Sequence, residues 1–463
     1  MWHVDLYNVL NTINTVVLYI IGIPFILQFI YMLLFWLPKK TFKKSEKKNK
    51  ICVVIPAHNE EDVIYDTVKR LYDKQNYSKD MFDVYVVAHN CNDKTAELAE
   101  KAGAKVFALN DPDPKHGRAA YALKHGFEQI LATGIDYDFV IRLDADNHIN
   151  DDFFSLINDA YNSGCKIARP YESALNMTQN KFTKACGLYY SFDSRFSSRV
   201  RERLHIDAHV NGPGSMFAYE IIKNIGGYDT TSITEDTEFM FKRMLEGYKC
   251  HFVEDAVVYE DLPSTYKDTS SRNKRIAAGN IRLMAKYTPK FIWNAIIHFR
   301  FSFIEQLLTY MFNFICVILC TWIPFFYVYD VAYLWAQGIF TDAQATAVGI
   351  TAPGLYNQLI LVGSILLVLF LIAGIGQGML LVALDYKKLG AKRRQDLMDG
   401  ALLFPAFTVV YCLTMCLGAF SKPKWNKVNR NKQAQIDVQN VVQIENRQVE
   451  NEEPQETKVA QNE

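Results

Sequence analysis

Residues 139–146 read Phe-Val-Ile-Arg-Leu-Asp-Ala-Asp, an apolar run with one arginine that ends in two acids. Apolar runs also occur at 51–55 and 84–88, and helical patterns such as 93–104 lie between the runs. Short apolar strands that alternate with helices are typical of a mostly parallel sheet covered by helices. The sequence therefore predicts an α/β domain over residues 51–286, in which ligands bind at the carboxyl ends of the strands.

The composition limits the class of protein. The chain has 463 residues, of which half are hydrophobic and 22% are charged, with 50 basic and 50 acidic side chains. This composition is too apolar for a disordered protein. A net charge of zero argues against a nucleic-acid binder, which needs a basic excess to neutralise phosphates. The 9 scattered cysteines fit reduced thiols better than a disulfide framework.

A hydrophobic segment before the domain predicts membrane attachment. Residues 16–37 form an apolar run that is long enough to cross a bilayer as a helix, which makes 1–38 an N-terminal transmembrane anchor. A lysine-rich juxtamembrane linker follows at 39–50, and such basic flanks favour the cytoplasmic side. We therefore expect an integral protein of the cell membrane whose α/β domain faces the cytoplasm.

Further membrane segments follow the domain. Residues 287–306 mix aromatic and aliphatic side chains with polar ones, as expected of a helix in the membrane interface. The transmembrane region 307–421 comes next, and its apolar runs at 307–328 and 359–384 are each long enough to span.

The last apolar stretch, at 401–420, is harder to interpret. It lies between two basic flanks that should both be cytoplasmic, and Pro405 lies near its start. These features favour a re-entrant or interfacial helix, so the prediction is three spans, with a fourth as the alternative. The tail 422–463 is basic at first and then acid-rich, and it is predicted to be disordered.

Polar residues follow the predicted strands at their carboxyl ends. The first strand leads into Pro-Ala-His-Asn-Glu at 56–60 and the second into His-Asn-Cys-Asn-Asp at 89–93, while a basic glycine turn at 115–119 precedes the acid pair. Such a group of side chains suits a nucleotide-sugar cradle, although Asn59 and Asp93 would also cap helices well. The candidate donor-binding residues of these segments are Pro56, His58, Asn59, Glu60, His89, Asp93 and Arg118.

Two acidic motifs carry the candidate chemistry. Asp144 and Asp146 are two apart at a strand end, where both carboxylates can meet one hard divalent cation that also holds a diphosphate. A loop with two solvated acids is the alternative. Glu235 and Asp236 precede a helical pattern at 239–245, and a carboxylate there either caps the helix or acts as a general base toward an acceptor hydroxyl.

Two other segments belong to the candidate site. A glycine-rich turn, Gly212-Pro213-Gly214-Ser215, lies between the two acidic motifs in the chain. Arg272 and Arg275 come just before the predicted interface helix, where they either hold a leaving diphosphate or bind anionic lipid.

In the order of its motifs the chain resembles the membrane-bound inverting glycosyltransferases of family 2. The motifs are PAHNEE, NCND-x-T, G-R-A, DAD, G-P-G, TED and R-x-x-R, and the resemblance covers roughly residues 16–430. The pattern is most similar to that of the exopolysaccharide-synthesis branch, which includes cellulose, hyaluronan and poly-N-acetylglucosamine synthases. The resemblance implies a cytosolic α/β domain of the GT-A, Rossmann-like type, together with α-helical transmembrane and interface helices.

The resemblance also implies roles for single residues on the donor side. His58 and Glu60 would lie by the uridine, and Arg118 would lie near the diphosphate. Asp144 and Asp146 would be the donor and metal carboxylates, with Asp146 nearest to the Mn or Mg ion.

On the acceptor side, the resemblance implies that Gly212, Pro213, Gly214 and Ser215 line the acceptor. Asp236 would be the catalytic base, with Glu235 beside it, and Arg275 with Arg272 would form a gate above the nucleotide.

Two positions depart from the pattern of that family. Ala88-His89 stands where an acidic residue is usual, which leaves open which residue contacts the nucleotide base of the donor. Ile276 stands where an aromatic residue usually follows the gate arginine, which weakens the case for processive synthesis.

These features predict a membrane-bound inverting glycosyltransferase that moves a sugar from a UDP-sugar to a glycan acceptor in cell-surface or extracellular polysaccharide synthesis. Its expected partners are the donor, a glycan or lipid-linked acceptor and membrane lipids, but no nucleic acid. Three spans make a small bundle, so a homo-oligomer or an export partner would complete a polymer channel. One alternative is single-sugar transfer to a lipid, either a polyprenyl phosphate or a glycolipid. Another is a non-catalytic membrane protein that binds a nucleotide sugar.

Overall fold

The computed structural model describes residues 26–209, 211–310 and 374–421, with isolated residues before 26 and between 325 and 364. The chain divides into two compact units. The first, here called the α/β unit, contains Lys39–Asp268 and Leu381–Gly400. The second, here called the helical unit, contains Thr269–Leu380 and Ala401–Trp425 together with the residues before 39.

One sheet of eight strands forms the centre of the α/β unit. The runs predicted at 51–55, 84–88 and 139–143 are strands, which confirms the prediction for these three. In chain order the strands are β1 (Ile51–Ala57), β2 (Phe82–His89), β3 (Lys105–Leu109), β4 (Phe139–Arg142), β5 (His148–Ile149), β6 (Ile167–Ala174), β7 (Met216–Ala218) and β8 (Cys250–Glu260).

The order of the strands is β3-β2-β1-β4-β7-β6-β8-β5. The first four are parallel, but β7 is antiparallel to both β4 and β6, and β5 is antiparallel to β8. The sheet is therefore mixed but mostly parallel, as predicted, because β6 and β8 also pair in parallel and the two antiparallel strands, β7 and β5, are short. The antiparallel strands β7 and β5 have only three and two residues, which is too short for a recognisable hydrophobic pattern.

Helices connect the strands and cover the sheet. The helix predicted at 93–104 exists but is shorter, and the one predicted at 239–245 starts earlier, at the acidic motif. These helices are α1 (Ile64–Lys74), α2 (Thr95–Lys101), α3 (Ala119–Ala132), α4 (Phe153–Asn162), α5 (Lys181–Phe192), α6 (Arg199–Arg203), α7 (Tyr219–Ile225) and α8 (Glu235–Leu245). A π-helical segment, Asp193–Ser198, joins α5 to α6.

The core lies against both faces of the parallel strands. Alternate residues of β1, such as Ile51 and Val53, pack with Phe154 of α4 and Val68 of α1 in one continuous apolar cluster. The intervening residue Cys52 is fully buried as well, because helices cover the other face. Because the strands are buried on both faces, the polar side chains of these segments lie at the carboxyl ends of the strands.

The remaining helices are α9 (Tyr266–His298), α10 (Asp342–Ala347), α11 (Gln377–Asp385) and α12 (Met398–Ala419), and residues 301–310 are also helical. Helix α9 runs without a break through residue 286, where the sequence placed the end of the α/β domain.

Within the described residues, one helical stretch, Arg394–Ala419, is long and apolar enough to cross a bilayer, with a mean hydropathy of 1.9. Length and composition alone give this result, which a buried helix of a soluble protein would also satisfy. The stretch includes α12, which continues through Pro405. Proline leaves the carbonyl of Ala401 without its helical partner, and a Cβ on Gly378 of α11 would lie 3.0 Å from that oxygen.

Several predicted segments lie wholly or largely outside the described residues. These are the spans at 307–328 and 359–384 and the tail 422–463, whereas the span at 16–37 is described continuously from residue 26 onward and is helical over residues 26–33. The number of spans therefore stays a prediction.

Candidate active site

The segments after β1 and β2 contact each other at the carboxyl edge of the sheet. His58 donates its Nδ1 proton to the carbonyl oxygen of His89 at 2.7 Å. The Oδ1 atom of Asn59 accepts the backbone N–H of Asn92 at 2.9 Å. Asn59 has a φ of 55°, a left-handed conformation that asparagine tolerates better than most residues. It braces the two loops and does not cap a helix.

Asp93 orders the start of α2, as the capping alternative predicted. Its carboxylate accepts the N–H of Thr95 at 3.0 Å and that of Glu61 at 3.2 Å. The hydroxyl of Thr95 in turn accepts the N–H of Glu60 at 2.8 Å. Pro56 lies within β1, opposite Val87 of β2. These contacts bring the predicted donor-binding residues of both segments together.

His89 and Arg118 are the basic members of the predicted donor set. His89 is buried, and burial lowers the pKa of its imidazole, with a smaller effect of the same sign from His58. The side chain is therefore neutral at neutral pH, unlike the acid usual in the family that the chain resembles. Arg118 is half-buried at the start of α3, and its Nη1 donates to the carbonyl oxygen of Thr231 at 3.3 Å.

The acid pair follows β4 in a tight turn. Asn147 Oδ1 accepts the N–H of Asp144 at 2.8 Å, and the hydroxyl of Thr67 donates to the carbonyl of Ala145 at 2.8 Å. The turn leaves the Asp144 side chain 38% exposed, whereas Asp146 is buried. Asp144 is thus presented to solvent at the strand end.

The part of the chain that the structure describes holds no group of three or more His, Cys, Asp or Glu side chains arranged for a metal ion. This does not conflict with Mn or Mg. Mg²⁺ usually keeps several waters and is bound through one or two carboxylates plus the phosphates of the substrate. Asp144 and Asp146 therefore stay the predicted ligands of the ion.

Arg142, which the sequence reasoning passed over as part of a strand, is the link between the two acidic motifs. Its side chain is 6% exposed, and its Nη2 donates to Asp144 Oδ1 at 3.2 Å and to Glu235 Oε1 at 2.9 Å. A basic residue within the otherwise apolar run 139–143 was the only signal in the sequence. The contact confirms that the two acidic motifs meet in space.

Glu235 and Asp236 begin helix α8 and have different surroundings. Burial raises the pKa of Glu235 to about 7, with Asp236 adding to the shift and the Arg142 guanidinium opposing it. Asp236 is half-buried, and its two carboxylate oxygens accept the N–H groups of Gly212 and Thr237, each at 2.7 Å. Two backbone donors thus fix the orientation of the half-buried Asp236 carboxylate.

Aromatic packing sets the position of α8. Phe239 lies 5.0 Å from the ring of Phe217 in β7 and 5.0 Å from that of Tyr228, with which it stacks at 6°. The helix has acids in its first turn and Lys242 and Arg243 in its last, as the helix dipole favours. Its N-terminus therefore lies beside the end of β4.

The turn 212–215, predicted to line the acceptor, is buried. It continues the pairing of β4 with β7, because Arg142 donates its N–H to Ser215 and accepts that of Gly214. A Cβ on Gly212 would lie 1.7 Å from Arg142 Nη1, so only glycine fits there. The turn binds Asp236 through the N–H of Gly212. Its contact with an acceptor stays a prediction.

Arg272 and Arg275, predicted to hold the nucleotide, lie on α9 in the helical unit. Their role as a gate stays a prediction.

Known proteins similar to this chain are glycosyltransferases. Residues 139–329 match the family model described as glycosyl transferase family group 2. The chain is 26% identical to the probable glycosyltransferase YdaM of Bacillus subtilis, over 52% of this chain and 58% of that protein. It is 24% identical to glucomannan 4-beta-mannosyltransferase 1 of Cyamopsis tetragonoloba, over 62% and 55%. It is 22% identical to the poly-beta-1,6-N-acetyl-D-glucosamine synthase of Staphylococcus epidermidis, over 54% and 61%.

The matches therefore span 55% to 61% of the length of these curated relatives. Among solved structures, the mannosyltransferase PcManGT from Pyrobaculum calidifontis, in complex with GDP-Man and Mn²⁺, has a TM-score of 0.47 and 15% identity, over 83% of this chain and 94% of that one. The family match and the curated relatives support a glycosyltransferase enzyme with a family 2 domain.

Proposed function

We propose that this chain is a membrane-bound inverting glycosyltransferase that moves a sugar from a nucleotide sugar to the hydroxyl of a glycan. The observation that carries the proposal is the meeting of two acidic motifs at the edge of the sheet. Asp144, exposed on the donor side, and Asp236, fixed by two backbone amides, flank the buried Arg142 and Glu235. A GT-A domain uses this edge of the sheet for its donor.

In the proposed reaction Asp236 is the general base. It takes the proton from the acceptor hydroxyl, whose oxygen attacks the anomeric carbon on the face opposite to the leaving diphosphate. The bond from that carbon to the diphosphate oxygen breaks, so the configuration inverts. A divalent cation held by Asp144 and Asp146 would neutralise the charge of the departing nucleoside diphosphate. General base catalysis of this kind contributes on the order of 10² to 10⁴ in rate.

A UDP-sugar is the proposed donor, and an extracellular polysaccharide is the proposed product. The product is favoured by the relatives, which include a poly-beta-1,6-N-acetyl-D-glucosamine synthase and several glucomannan mannosyltransferases. Because some of these are mannosyltransferases, GDP-mannose belongs in any test of the donor. The lysines of linker 39–50 support a catalytic unit on the cytoplasmic side of the membrane.

Nucleotide release tests the proposal. The full chain in nanodiscs is supplied with Mn²⁺ or Mg²⁺ and, one at a time, UDP-glucose, UDP-galactose, UDP-N-acetylglucosamine, UDP-glucuronate and GDP-mannose. Release of nucleoside diphosphate from one donor, abolished by a chelator, is the expected result. Binding of a donor without release, with glycan and lipid acceptors both present, would instead support the non-catalytic binder.

The size and solubility of the product separate the two catalytic alternatives. A glycan that grows in length and stays in the aqueous phase supports polysaccharide synthesis. A single sugar that partitions with extracted lipid supports transfer to a polyprenyl phosphate or a glycolipid.

A further inference from the structure

The side chain of Arg142 joins segments that are far apart in the sequence. One nitrogen, Nη2, contacts both Asp144 at 3.2 Å and Glu235 at 2.9 Å. The backbone of the same residue forms two hydrogen bonds with the turn 212–215, one at 2.9 Å and one at 2.8 Å. That turn holds Asp236 through the N–H of Gly212. Arg142 therefore contacts the donor-side acid Asp144, the acid Glu235 next to the proposed base, and the turn 212–215.

The turn is shaped to admit this guanidinium. Gly212 is the residue over which Nη1 lies, and a Cβ there would overlap Nη1 at 1.7 Å. The guanidinium is thus held on one side by the glycine and on the other by two carboxylates. The guanidinium therefore packs directly against the backbone of the turn that binds Asp236.

The arrangement also carries a cost in stability. Within the described residues, the buried Nε and Nη1 atoms of Arg142 have no hydrogen-bond partner. Leaving buried donors unsatisfied is unfavourable. A residue that served only the stability of the sheet would be better replaced by an apolar side chain, as in the rest of β4.

We propose that Arg142 is a positioning residue, which sets the distance and orientation of Asp236 relative to the donor-side carboxylate Asp144. The inference rests on the proposed function, because it assigns a task to Arg142 within that reaction. The guanidinium itself need not touch the donor. It acts through Glu235 and the turn 212–215, which together hold the base.

Steady-state kinetics of Arg142→Met test this role. A base displaced by about 1 Å can cost on the order of 10² in rate, so kcat is expected to fall about 100-fold. The donor KM should change less than about threefold, because Asp144, Asp146 and the loops after β1 and β2 remain. Arg142→Lys keeps the charge but loses the planar fork of the guanidinium, so its kcat should lie between those of the wild type and Arg142→Met. Arg203→Met, at an exposed arginine that ends α6, is the matched control and should equal the wild type.

Two kinetic results would overturn the proposal. A kcat within twofold of the wild type, even with a lowered Tm, would show that Arg142 is only structural. A raised donor KM with unchanged kcat would show that it binds the donor and does not position the base. If Arg142→Met fails to fold, Arg142→Lys replaces it in the same comparison.

Hydrogen exchange tests the inference independently of turnover. In Arg142→Met, the Gly212 and Thr237 amides, which bind Asp236, should exchange at least tenfold faster than in the wild type. The amides of the sheet should exchange at nearly the wild-type rate. Unchanged exchange at these amides would contradict the positioning role. Because this measurement needs no substrate, it separates a failure of the positioning role from a failure of the proposed activity.

Discussion

At the scale of single residues, the two adjacent acids of the Thr-Glu-Asp motif have different tasks because their surroundings differ. Glu235 is buried against Arg142, whereas Asp236 is half-buried and is held by two backbone amides. A base must reach its substrate, so these surroundings favour Asp236 over Glu235 as the proposed base. Glu235 instead holds the guanidinium that orders the site.

The raised pKa of Glu235 makes stability depend on pH. Because the native carboxyl has a pKa of about 7 against 4.5 when unperturbed, the native state binds the proton more tightly. Its contribution to stability is therefore complete at low pH and is lost as pH rises from about 4.5 to about 7.

The variant Glu235→Gln lacks this dependence. Its Tm should rise relative to the wild type as pH increases from 5 to 8, as measured by thermal unfolding at each pH. Glu97 is an exposed acid in the first turn of α2, so the difference in Tm between Glu97→Gln and the wild type should be the same at every pH. A constant difference for Glu235→Gln as well would show that Glu235 ionises normally in the folded protein.

Arg142 shows what sequence reasoning missed at this scale. The positions of both acidic motifs were predicted from their strand and helix patterns, and the structure brings them together. The ion pair between Arg142 and Glu235 was not predicted, because it joins positions 93 residues apart and leaves no local pattern. The buried state of the turn 212–215 was missed for the same reason.

At the scale of elements, the long parallel strands could be predicted and the short antiparallel ones could not. Strands β1, β2 and β4 are nearly continuous apolar runs, which is the pattern of strands buried on both faces. Strand β7 has three residues and depends on its pairing with β4 and β6 rather than on its own sequence. Such tertiary pairing overrides local propensity.

Strand β8 contributes a buried carboxylate that holds the segment Leu381–Gly400 within the α/β unit. Glu254 accepts hydrogen bonds from Arg199 Nε at 2.5 Å and from Lys388 Nζ at 3.0 Å, and its side chain is 2% exposed. Removing one partner of a buried ion pair leaves the others unpaired.

We predict that Glu254→Gln lowers the free energy of unfolding by about 3 kcal/mol, as measured by urea denaturation. The matched control is Glu220→Gln, in an exposed pair with Lys166, which should cost less than about 1 kcal/mol. Equal effects of the two substitutions would show that the Glu254 cluster adds no more than a surface pair.

At the scale of the whole molecule, the sequence predicts a membrane protein with an α/β unit at the surface of the bilayer. The helix Arg394–Ala419 is the described stretch that meets the length and hydropathy of a span. The predicted spans at 307–328 and 359–384 lie mostly outside the described residues, and the span at 16–37 is described continuously only from residue 26 onward, so the number of spans rests on hydropathy alone.

Extraction of membranes tests directly whether the chain is an integral membrane protein. Washing with alkaline carbonate removes peripheral proteins, so an integral chain should stay in the membrane pellet and dissolve only with detergent. Recovery in the carbonate supernatant would contradict the transmembrane assignment.

The central claim is that Asp236 is the base of a sugar transfer, and the most direct measurement is the turnover of Asp236→Asn together with its affinity for the donor. We predict that nucleotide release with donor, metal and acceptor falls by about 10² to 10⁴, while the Kd for the donor stays within about threefold. The control Asp66→Asn, at an exposed acid in the first turn of α1, should behave as the wild type does. Wild-type turnover in Asp236→Asn would contradict the account.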